Sequence, residues 1–79
     1  MYQLEDNKLE ELMCEAIRNA KRLHELLNEA DRTENSVERT LLLASANRYL
    51  GYANGINRAL VAVGFKHERM KVLEDLLGF

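Results

Sequence analysis

The chain has no proline, only four glycines and a single cysteine. Proline is the residue that removes a backbone donor and clashes with the preceding helical turn, so its absence leaves long helices uninterrupted. Scarce glycine leaves few positions for the tight turns that strand hairpins need. One cysteine, Cys14, excludes an intrachain disulfide; with only His24 and His67 to join it, a structural zinc site is excluded too. No apolar run approaches the ~20 residues of a membrane span. The stretch from Met1 to Lys8 is polar and acidic, which reads against a signal peptide. A basic surplus is also missing: 11 Lys and Arg face 13 Asp and Glu, for a net charge of −2. That balance argues against generic binding to nucleic acid or to an anionic membrane. A lone thiol suits a reducing compartment, so a cytoplasmic location is expected.

What is present points to one small helical domain, residues 1–79. A chain this short buries only about 60% of its unfolded surface and is marginal alone. With disulfide and metal set aside, association with copies of itself is the remaining source of stability. The apolar fraction of 47% is ordinary for a globular chain and argues against disorder.

Periodicity places a first helix from about Asn7 to Ala30, with Asn7 and Glu10 as a capping box. Leu9, Leu12, Met13, Ala16, Ile17, Ala20, Leu23, Leu27 and Ala30 form one apolar stripe, with Leu26 and His24 at its edges. Glu11, Glu15, Arg18, Lys21, Arg22, Glu25 and Glu29 occupy the opposite side, where Glu15–Arg18, Lys21–Glu25 and Arg22–Glu25 are spaced to pair. A polar break, Asp31 to Glu34, is short enough to favour an antiparallel hairpin. The second helix runs from Asn35, a cap paired with Glu38 unless Ser36 caps instead, to Val63, and Gly64 is the expected left-handed residue past its end, the alternative being a Gly64 inside one continuous long helix. A third, short helix is expected from Lys66 to Leu77, closed by Gly78; its charges oppose the macrodipole, so it needs the hairpin to hold it. The fold class is therefore all-α: an antiparallel hairpin of two long helices plus a short C-terminal helix, completed by oligomerisation into a helical bundle.

The second helix is the unusual one. Leu41, Leu42, Leu43, Tyr49, Leu50, Tyr52, Ala53, Ile56, Leu60, Val61 and Val63 spread over more of its circumference than one packing partner covers. The remaining side carries Asn47, Gly51, Asn54 and Arg58 at steps of four, three and four, flanked by Gly55 and Arg48. Mid-helix glycine costs about 1 kcal/mol relative to alanine, so two of them suggest that something approaches the backbone closely. Two roles suit this face. It is a tight helix–helix seam whose register the asparagines fix, or a groove in which amides bind base edges or hydroxyls, Arg48 or Arg58 pairs with an anion, and Tyr52 stacks on a ring.

Other candidates for chemistry are weaker. His24 and His67 lack a metal-ligand companion at the next helical turn, where Asn28 and Lys71 stand. His24 reads as a boundary residue with one ring nitrogen bonded, and His67 as solvated. Cys14 sits on the polar side near Arg18, an incidental thiol. The glutamates lack the Glu-x-x-His partner of bundle metal sites and read as a wet surface. No phosphate loop, dinucleotide fingerprint or nucleophile elbow occurs. An enzyme is not expected, nor a cofactor.

Several features together resemble the small α-hairpin proteins of bacteriophages that sequester cyclic nucleotide immune signals. They are Tyr2, a Glu-rich first helix with Met13 and Arg18, Arg39 ahead of Ala44, and the Arg58-Ala59 pair. The resemblance implies a compact oligomer, with Tyr2 stacking on a base and Arg18 pairing with phosphate. The expected function is a non-enzymatic, homo-oligomeric binding module engaging a protein partner through a helix face. The alternative that the resemblance adds is a sponge for cyclic nucleotides or similar anions at subunit interfaces.

Overall fold

The computed structural model describes the backbone of residues 3–78 and the side chains of residues 7–78. It contains three helices: α1, Gln3–Arg32; α2, Ser36–Ala62; and α3, Met70–Leu77. No strand occurs among the described residues, and the fold is an all-α helical hairpin with a short third helix. No described helix is long and apolar enough to cross a membrane. The molecule is a rod of 53 × 17 × 16 Å.

Local chemistry explains the joints. Asn35 is the N-cap of α2, and its Oδ1 accepts the Glu38 N–H at 2.9 Å. Arg39 closes the connection from the other side. Its guanidinium donates to the Ala30 carbonyl at 3.2 Å and the Thr33 carbonyl at 2.8 Å, satisfying oxygens that the end of α1 leaves unpaired. Gly64, at φ 76°, takes the left-handed conformation past α2. The Phe65 N–H reaches the Leu60 carbonyl and the Gly64 N–H reaches Val61, both at 3.0 Å, which is the Schellman pattern.

Two boundaries depart from the expected ones. The first helix already runs at Gln3, so Asn7 lies inside it rather than capping it; nothing in residues 3–6 breaks a helix. The third begins at Met70, not Lys66. Met70 and Lys71 donate back three residues, to His67 and Glu68, and the Arg69 N–H goes to His67 Nδ1 at 3.1 Å. With no side-chain cap and basic residues at its start, α3 has no local reason to extend further toward Phe65. Gly78, at φ 82°, closes it as expected.

The helices pack antiparallel, α1 against α2, and α3 returns along α1. Arg69 meets Cys14 near one end of α3, and His24 meets Leu76 near the other. The main core joins Met13, Ala16, Ile17 and Ala20 of α1, Ala53 and Leu60 of α2, and Met70 and Leu73 of α3. Fully burying a leucine such as Leu60 or Leu73 contributes roughly 1.5–3 kcal/mol. A smaller core, Leu23, Leu26 and Ala46 with Leu42 and Tyr49, lies nearer the hairpin tip. Alanines on the facing sides of both long helices give no bulk to hold the backbones apart.

This arrangement sorts the apolar excess of α2. Ala46, Ala53 and Leu60 are buried, with Leu42, Tyr49 and Ile56 packed beside them. Leu41, Leu43, Tyr52, Val61 and Val63 are left exposed. On α1, Leu26 is buried although it stands at the edge of the sequence stripe, while Leu12 and Leu27 are partly uncovered. Asn57 is the one buried polar residue of α2: it is 5% exposed, and its Oδ1 has no hydrogen-bond partner among the described residues.

Candidate functional site

The outer flank of α2 holds most of the residues singled out from the sequence. Asn47, Arg48, Gly51, Gly55 and Arg58 are all exposed, and Asn54 is half-buried with an unpartnered Oδ1. A Cβ added at Gly51 or Gly55 would meet nothing within 4 Å. The close approach that two mid-helix glycines invite therefore does not come from α1 or α3. Arg48 and Arg58 make no ion pair with a described residue. The six residues occupy the same flank, but within one chain they do not converge on a common point.

Arg48 belongs to a second feature that the sequence pattern did not expose. An open groove of about 380 Å³ between α1 and α2 is lined by Glu15, Asn19, Arg48, Tyr49 and Tyr52. The Tyr52 hydroxyl donates to Glu15 Oε1 at 3.0 Å. That hydrogen bond and the carboxylate charge raise the Tyr52 phenol above its ordinary value of 10.0. Asn19 donates to the Glu15 carbonyl at 2.8 Å, which fixes its amide on the groove wall. Glu15 does not make the expected pair with Arg18, because it faces α2 instead of a purely wet surface. Tyr49 both packs against the Leu23–Leu26 core and lines the groove. A simple signal locates these residues. Folding the chain about Glu34 sets position 15 opposite 53 and position 19 opposite 49.

The groove offers two phenol rings, an amide and a guanidinium, with one carboxylate already engaged. It is equipped to stack on a flat ring and to pair with an anionic or polar substituent. Among the described residues no group of three His, Cys, Asp or Glu side chains is placed to hold a metal ion.

The remaining candidates have structural partners. His24 Nε2 lies 2.6 Å from the Leu76 carbonyl, and since a carbonyl only accepts, this nitrogen donates. His67 is half-buried rather than solvated. It stacks on Phe65 with centroids 6.0 Å apart, accepts from Arg69 at Nδ1, and brings Nε2 to 3.8 Å from Glu10. Cys14 is also half-buried, packed on the main core. The cation hydrogen-bonded to it is Arg69, whose Nη1 donates to Sγ at 3.6 Å. Of the expected charge pairs on α1, Arg22–Glu25 forms at 3.3 Å, and Arg22 also approaches Glu29 at 3.9 Å. The hydrogen bond to Glu25 is the main reason that the Arg22 guanidinium is raised above its ordinary value. Arg18 is exposed in a notch beside Glu11, Cys14 and Glu15, where the carboxylates oppose an incoming phosphate. Tyr2 lies outside the described residues. The chain matches no protein-family model, no curated protein and no solved structure.

Proposed function

We propose that the chain is a non-enzymatic helical binding module of the cytoplasm that assembles with copies of itself and engages a protein partner through a helix face. One observation carries this reading: Val37, Leu41 and Val61 of α2, and Val63 just past its end, stand 58–69% exposed around the outer half of a helix whose only charges between Thr40 and Ala62 are Arg48 and Arg58. Exposed apolar surface of this extent, with few charges among it, marks an interaction site rather than a solvated wall. Mass spectrometry of the protein purified natively from its source tests both clauses at once. The expected result is a multiple of the 9.1 kDa chain mass together with a bound partner. A single-copy species at micromolar concentration, free of partner, overturns it.

A second reading follows from the groove. Arg48, Tyr49 and Tyr52 form a stacking-and-pairing set that suits a cyclic nucleotide or a similar anionic ring compound, the function of a sequestering sponge. Glu15 in the same wall repels phosphate, which ranks this reading second. A ligand at 100 times its dissociation constant stabilises a fold by about 2.7 kcal/mol. A thermal-shift screen with cyclic nucleotides should then give a clear rise that Arg48→Ala removes; no rise with any of them discards the sponge.

A further inference from the structure

We infer that the occupant of the α2 flank is the same flank of a second copy, laid antiparallel across a two-fold axis near Gly51. The inference rests on the proposed self-assembly and gives it a geometry.

The surface area supplies the first argument. The chain exposes 5787 Å², whereas a compact monomer of 9.1 kDa exposes about 4,900 Å². The excess, about 900 Å², is close to the ~800 Å² that each partner contributes to a standard interface. A rod 53 Å long and 17 Å wide has most of its surface along its sides. On α1 the exposed side is laced with charges of both signs, and on α2 beyond Thr40 it is not.

The order of residues along α2 supplies the second. The most exposed apolar side chains stand toward the two ends of α2, Val37 and Leu41 at one and Val61 and Val63 at the other, while Leu43, Leu50 and Tyr52 between them are less exposed, at 37–52%. Gly51 lies midway between Leu41 and Val61. An antiparallel pairing centred there sets Leu41 of one copy opposite Val61 of the other, and Asn47 opposite Gly55. A two-fold contact of this kind is self-complementary by construction. The lack of any neighbour within 4 Å of a Cβ at Gly51 or Gly55 leaves that room for the other copy's backbone.

Charge decides the direction. Between Thr40 and Ala62 the only charged residues are Arg48 and Arg58. A parallel, in-register pairing would set each arginine against its own copy. The antiparallel one sets Arg48 against Asn54 and Arg58 against Ala44, so no like charges are directly opposed.

Cysteine cross-linking in a Cys14→Ser background tests the geometry. Gly51→Cys should form an intermolecular disulfide at least tenfold faster than the control Lys21→Cys on the exposed side of α1. Ala44→Cys should not cross-link to itself, because in this register residue 44 faces residue 58, about 21 Å along the axis from the other copy's 44. Gly51→Leu, which meets empty space in a single chain, should raise the dissociation constant in sedimentation at least tenfold while the helical circular dichroism is kept. Rapid self-cross-linking of Ala44→Cys, or of Gly51→Cys at only the control rate, overturns the geometry. An oligomer indifferent to Gly51→Leu overturns this seam and leaves self-assembly by another surface standing. A monomer at tens of micromolar overturns both.

Discussion

The exposed sides of α1 and α2 make an instructive contrast. The two helices are similar in length, face each other across one core, and are joined by three residues. On α1 the exposed positions include Lys8, Glu11, Arg18, Lys21, Arg22, Glu25 and Glu29. On α2, between Thr40 and Ala62, they include only Arg48 and Arg58 as charges, among leucine, valine, alanine, glycine and asparagine. Both inner faces are dry for the same reason, since each is the other's partner. Only α1 has an outer side built for water. The α2 sequence is also the poorer helix former, with Gly51, Gly55, Asn47, Asn54 and Asn57 in its body. It therefore depends more on what packs against it.

Mutations on the two faces of α2 sharpen that contrast most. Leu60→Ala, at 1% exposure on the inner face, should cost roughly 2–5 kcal/mol in urea denaturation. A loss under 1 kcal/mol would mean that the inner and outer faces are not distinguished as described. Asn35→Ala, which removes the α2 cap, should lower stability by about 1 kcal/mol in the same assay. On the outer flank, Gly51→Ala probes solvent exposure directly. At dilutions where the chain is a single copy it should raise stability by roughly 0.5–1 kcal/mol, because nothing lies near the new methyl group. A loss under those conditions would show that the flank is not open to water. On α1, Glu25→Ala breaks the exposed pair with Arg22 and should leave the urea midpoint unchanged, in keeping with a surface that is only solvated.

The groove between the helices gives a pH-dependent check. Tyr52 is a phenol whose folded value is raised, so the folded state holds its proton more firmly than the unfolded state does. The resulting stabilisation is fully present below pH 10 and is lost as pH rises through the folded value. Ultraviolet titration should show one tyrosine ionising later than the rest. Glu15→Gln should move it back toward 10, since the hydrogen bond to Glu15 is the largest cause of the shift and its charge the next. An unchanged titration would separate Tyr52 from Glu15 in solution.

Much of the architecture was legible because it is local chemistry. Asn35 caps, Gly64 and Gly78 turn left-handed, and the short break makes a hairpin, each from a residue type at its required position. The facing of α2 was not legible. Its apolar residues run almost all the way round, so periodicity offered several inner faces, and only the position of α1 selects Ala46, Ala53 and Leu60. The groove was missed for a related reason. Glu15, Asn19 and Tyr49 lie on two helices, and the pattern along either one says nothing of the register between them, which comes only from folding the chain about the short break at Glu34. Asn57 was unread because a buried amide between Ile56 and Leu60 has no signature of its own. The beginning of α3 was misplaced because His67 takes the Arg69 N–H, a competition between side chain and backbone that apolar spacing does not register.

The short reach of α3 divides the rod along its length. The third helix stops with Leu76 held by His24, so beyond that level the hairpin is only two helices thick, and its core shrinks to the cluster around Leu23, Leu26 and Ala46. Amide protons there are protected by fewer layers than those near Met13 and Leu73. Local opening should begin at the tip and travel inward, with hydrogen exchange fastest from about Glu25 to Ser45 and slowest where all three helices meet.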